Sequence, residues 1–78
     1  MKYNRADICS SILAAESCAK KHNEPYYVVP THYGFKVSYE SPAEFQGHYK
    51  VEPDGRITQV EHGKVKRSAM VRDIVKVA

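Results

Sequence analysis

The sequence predicts one α+β domain over 1–78: an N-terminal helix packed on a mainly antiparallel sheet of three to five strands, then a short C-terminal helix, in αβββ(β)α-like order. Three observations carry this. Apolar residues recur at helical spacing up to His22 and at period two from Tyr26 onward. Nine Val and six Tyr stand against a single Leu, Leu13, and β-branched and aromatic side chains suit a pleated, half-buried surface. Turn residues punctuate the chain without any Gly/Ser linker, repeat or low-complexity tract, so no domain boundary is expected.

The helix is expected from Asn4 to His22. Asn4 suits the N-cap and Asp7 the first turn, while Lys20, Lys21 and His22 suit the C-terminal end of the helix dipole. Asn23 tolerates a left-handed conformation and Pro25 forbids continuation. Ile8, Ile12, Ala15 and Ala19 form one stripe, and its alanines let the helix lie close to a sheet.

Tyr26–Val29 and Phe35–Tyr39 read as a hairpin around a turn at Pro30–Gly34. Ser41–Gly47 has Ser at a cap position, Pro next, Glu44 three after the cap and a closing Gly, which fits one helical turn or a structured loop. His48–Val51 and Arg56–Val60 make a second hairpin across Pro53-Asp54-Gly55, and Glu61–Lys64 is a further turn. Residues 68–77 are read as a helix capped by Ser68 with Met70, Ile74 and Val77 inward, although Val71, Val75 and Val77 also suit a strand.

A chain of 78 residues buries only about 60–65% of the surface that it exposes unfolded, so its core has little room for a pre-organised catalytic site. None of the phosphate-loop, nucleophile-elbow, His-Glu-x-x-His or dinucleotide-binding signatures occurs, and no enzymatic activity is expected. Cys9 and Cys18 are nine residues apart, which on a helix sets them on opposite faces about 13 Å apart along the axis, too far to pair. Cys18 and His22 have the spacing of half a zinc site, but His32, His48 and His62 are scattered and no Cys-x-x-Cys supports them. Glu40 with Glu44 and Glu52 with Asp54 read as solvated turn charges, since an acid–base pair needs one desolvated member. No cofactor and no metal are expected. No apolar run approaches the ~18–20 residues of a bilayer span, and Met1–Arg5 lead into a polar-interrupted helix, so the expected compartment is the cytoplasm with no membrane partner.

Seven of eight aromatics fall between 26 and 49. As a strand, Tyr33, Phe35, Val37 and Tyr39 would share a face, core if the helix covers it, the preferred reading, and a partner surface or stacking platform if not. Charge is uneven: 1–39 carry five basic and three acidic residues, 40–61 two and five, 62–78 five and one. The basic end, with Lys64, Lys66, Arg67, Arg72 and Lys76, could touch phosphates, although an ordinary solvated face is the preferred reading.

The run Tyr33–Tyr39 resembles a fragment of the aromatic strand signature of the RNA-recognition motif, with one extra residue before Val37 and no strand ahead of the first helix. An α-β-β-β-α order would be similar to the double-stranded-RNA-binding domain, whose basic cluster at the start of the second helix is matched only loosely by Lys66-Arg67. In size, Tyr content and lack of motifs the chain resembles the accessory and host-defence-inhibitor proteins of phages and plasmids, a likeness of kind that carries over no residue. The expected function is a small non-enzymatic accessory factor or inhibitor that binds a larger protein or nucleoprotein partner. The alternative is a nucleic-acid-binding or regulatory module using the basic C-terminal face. Partner-binding residues are expected at Tyr33, Tyr39, Tyr49, Lys64, Lys66, Arg67 and Arg72, and an exposed sheet edge could also pair two copies into a homodimer.

Overall fold

The computed structural model describes residues 5–43 and 45–75, and side chains from Ile8 onward. The order is α1 (Arg5–His22), β1 (Tyr26–Thr31), β2 (Gly34–Ser38), β3 (His48–Val51), β4 (Arg56–Glu61), β5 (Lys64–Met70) and α2 (Val71–Ile74). It is the expected α+β fold, with a five-stranded antiparallel sheet ordered β2-β1-β3-β4-β5. The Asn4 cap, the Asp7 side chain, Glu44 and Val77 lie outside the described residues.

α1 ends as its sequence requires. Asn23 takes φ 53° and the Glu24 N–H donates to the Ala19 carbonyl at 3.2 Å, closing the last turn. The stripe faces inward: Ile12, Ala15 and Ala19 are buried and Ile8 packs beside them. Ile8, Ile12 and Ala15 meet Val28, Val51 and Ile57 from the sheet and Val71 and Val75 from the C-terminal end. The register explains which strand residues these are. Val37, Val28, Tyr49, Gln59 and Arg67 form one cross-strand row on the helix side, and Tyr26, Val51, Ile57 and Ala69 the next.

Three expectations are changed or narrowed. The first turn is only His32-Tyr33, because Pro30 and Thr31 extend β1 and pair with Phe35 and Gly34. Pro30 is tolerated there because β1 pairs with β3 only over Tyr26–Val28, so at Pro30 the strand has a single neighbour. The Thr31 hydroxyl closes the turn, donating to the Gly34 carbonyl and accepting from the Tyr33 N–H, each at 3.2 Å. Of the two readings of Ser41–Gly47, the described residues take the structured loop, with one backbone turn bond from the Gln46 N–H to the Ala43 carbonyl.

The third change concerns the C-terminal stretch, where strand runs through Met70 and the helix is one turn long. Ser68 pairs with Thr58 in the sheet and caps nothing; Met70 occupies the cap position in an extended conformation. The cause is the turn before it. His62 and Gly63 both have positive φ, 52° and 76°, the two-residue hairpin geometry whose twist sends the chain straight back along β4. A hairpin of this strength overrides helical periodicity in the strand that follows it.

Candidate functional site

The two halves of the sheet are covered differently. α1 packs chiefly on β1 and β2 and only marginally on β3. On the opposite face, β2 and β3 run in the same direction on either side of β1, so residues 39–47 must climb back across it. That crossing brings Glu40, Ser41, Pro42 and Gln46 beside Val29, Thr31, Lys36 and Ser38, and leaves Val29 only 9% exposed on the face away from the helix.

At the other end, β5 is a free edge whose first five residues are exposed; Val65 is 67% exposed. Its ladder to β4 is interrupted by a bulge at Gln59/Val60, where Lys66 is the extra residue between the Val60–Val65 and Gln59–Arg67 pairs. On the helix side α2 seals only part of this half. Val71 and Val75 close over Ile57, and the Val71 N–H is held by the Gly55 carbonyl at 2.8 Å. Beyond them remains a cavity of about 180 Å³ between α1, α2 and β3–β5.

Ile8, Cys9, Ile12, Ile57, Ala69 and Ile74 give this cavity an apolar lining, and one row of the sheet, Tyr49, Gln59 and Arg67 on β3, β4 and β5, supplies its polar groups. The Gln59 amide donates to Glu61 at 3.3 Å, and Lys66 donates to the other oxygen of the same carboxylate at 3.2 Å. That carboxylate is thereby occupied, and among the described residues Lys64, Arg67 and Arg72 have no ion pair.

The expected partner residues therefore separate into two groups. Lys64, Lys66, Arg67 and Arg72 are all exposed but are strung along β5 and into α2, with Lys64 and Arg72 at opposite ends of a strand about 20 Å long and only Arg67 at the cavity. Tyr33 and Tyr39 do not join them. Tyr33 is in the β1–β2 turn, 95% exposed, and Tyr39 lies beyond the end of β2, 64% exposed. Six residues of extended chain separate them by about 20 Å, so they form no shared platform. Between them Phe35 and Val37 turn inward and pack on the core, so the aromatic run is core in its middle and solvent-facing at its ends. Tyr49 is half-buried in the cavity wall instead of standing at the surface. The double-stranded-RNA-binding analogy loses its key residues as well, because Lys66-Arg67 lie in a strand and not at a helix start. Sequence reasoning missed Ile8, Cys9, Gln59 and Ala69 as site residues; the bulge and the edge position that bring them to one cavity leave no local sequence signal.

The end of α1 gathers a second set of titratable groups without making a metal centre. His22 stacks on Tyr26, ring centroids 5.9 Å apart, so its ring is used against an aromatic face instead of completing a site with Cys18. Burial pushes the Tyr26 phenol above its ordinary value, with smaller contributions from Cys18, Glu24 and Tyr39. Among the described residues no three His, Cys, Asp or Glu side chains are placed to hold a metal ion, and no helix is long and apolar enough to cross a membrane. Compared with protein-family models, curated proteins and solved structures, the chain matches none.

Proposed function

We propose that this chain is a non-enzymatic interaction protein, an accessory factor or inhibitor that works by covering a surface on a larger protein or nucleoprotein partner. The supporting observation is the open half of the sheet: a free edge strand, a cavity with an apolar lining that Arg67 borders, and further exposed cations along the same strand and α2, Lys64 and Arg72, which like Arg67 have no ion pair among the described residues. Interfaces concentrate their energy in a few anchors seated in pockets, with charges at the rim choosing the partner and speeding encounter. Immobilised protein is expected to retain a stoichiometric partner from its source lysate, and Lys64→Glu with Arg72→Glu to release it. Recovery of no such partner would refute the proposal.

A second reading has its own observation. On the face away from the helices, Tyr27, Lys50, Thr58 and Ser68 form one cross-strand row of hydrogen-bonding side chains without a carboxylate, and His48 packs edge-on against Tyr27 at 5.7 Å. Such a row could follow a single-stranded phosphate backbone. A mobility shift with single-stranded DNA or RNA that weakens as salt rises would favour it, and no shift at low salt would remove it.

A further inference from the structure

We infer that the free edge of β5 takes up an acidic, extended segment of the partner as a sixth strand and seats one large apolar side chain of that segment in the cavity. This rests on the interaction reading and names the chemistry of the partner. The argument begins with the backbone. Alternate residues of β5 direct their N–H and C=O groups away from β4, and past the bulge Arg67–Met70 pair regularly with β4. This is the stretch beside the cavity, to which Arg67 and Ala69 both contribute side chains.

A strand added there would extend the row Tyr49–Gln59–Arg67 and the row Ile57–Ala69 by one residue each. Its alternate side chains would point to the helix side, where the cavity lies. An apolar cavity of about 150 Å³ accommodates benzene, so about 180 Å³ suits a Phe or Leu side chain.

Charge selects the occupant. In an antiparallel β5–β5 pair centred between Val65 and Lys66, Lys64 of each copy would stand opposite Arg67 of the other, and like charges opposite one another are destabilising. Lys64, Lys66 and Arg67 attract carboxylates. In that register β5 resists self-pairing while remaining open to an acidic strand.

The test is titration of isotope-labelled protein with the peptide acetyl-Glu-Glu-Val-Phe-Val-Glu-Glu-amide, followed by amide chemical shifts. Saturable shifts are expected at Arg67–Met70, Ile57 and Ile8–Ile12, and binding should weaken about tenfold when the peptide's Phe becomes Ala or when its Glu residues become Lys. Ala69→Leu, which fills the cavity and leaves every charge in place, should weaken it similarly. Shifts absent from these residues, or equal binding by the Ala peptide, would overturn the inference, as would tighter binding of oligothymidylate to the same surface. If Lys64→Glu with Arg72→Glu abolishes lysate capture while Ala69→Leu leaves it intact, the strand-and-anchor inference falls and the interaction reading stands.

Discussion

The β1–β2 half of the sheet has a helix on one face and the crossing loop on the other, whereas the β4–β5 half has the one turn of α2 and the margin of α1 on one face and, among the described residues, no element on the other. Val29 and Val65 show the difference. Both are strand valines on the face away from the helices, yet one is 9% and the other 67% exposed. A strand position does not determine burial. What decides it is whether the chain path is forced over that strand, and the order β2-β1-β3 forces it over β1 only.

Substitutions should separate the two halves. The largest loss is expected for Val28→Ala, fully buried beneath α1, at about 2–3 kcal/mol in urea unfolding; a loss below about 1 kcal/mol would mean that this half is not the tightly packed one. Next comes Gly55→Ala, at about 1–2 kcal/mol. Gly55 has φ 91°, and an added Cβ would stand 3.2 Å from Glu16 Oε2 and 3.4 Å from Met70 Cε. Ala69→Leu tests the open half from inside, and filling the cavity should change the thermal midpoint little or raise it. A steep drop would show the cavity to be too small for a side chain. Val65→Thr should alter stability by less than about 0.5 kcal/mol.

The smallest effect is electrostatic and belongs to the covered half. Burial raises the Tyr26 phenol's pKa, so the folded state holds that proton more tightly than the unfolded chain. The stabilisation is fully present below the ordinary tyrosine value of about 10 and is lost as pH rises through the raised one. The difference in phenolate absorbance between the folded protein and Tyr26→Phe isolates this group, and a difference curve centred at the ordinary tyrosine value would contradict it.

Much of this was legible locally. The end of α1 follows from Lys20-Lys21-His22-Asn23 and Pro25, and its inward stripe from Ile8, Ile12, Ala15 and Ala19. The β3–β4 turn follows from Pro53-Asp54-Gly55, where Asp54 accepts from the Arg56 N–H at 2.9 Å and Gly55 takes the positive φ. What was not legible depends on partners distant in sequence. Met70 and Val71 carry the same apolar character whether strand or helix, and only the hairpin at His62-Gly63 and the Gly55 carbonyl fix the boundary between them. The site was half legible. Its cations follow from charge counting, but its cavity arises because α1 reaches β3 and stops, a matter of helix placement that no spacing in the chain encodes.

The crossing over β1 also orders the assembly of the chain. Residues 5–38 and 48–75 are each built from neighbours in sequence, a helix with one hairpin and a three-stranded meander with one turn of helix. Among strand pairings only β1 with β3 joins them, and the loop must settle over β1 as they meet. Long loop closures carry most of the entropic barrier in small domains, so the slow step of folding should be this docking. Substitutions at Val51 would then slow folding, while those at Val65 would leave its rate alone.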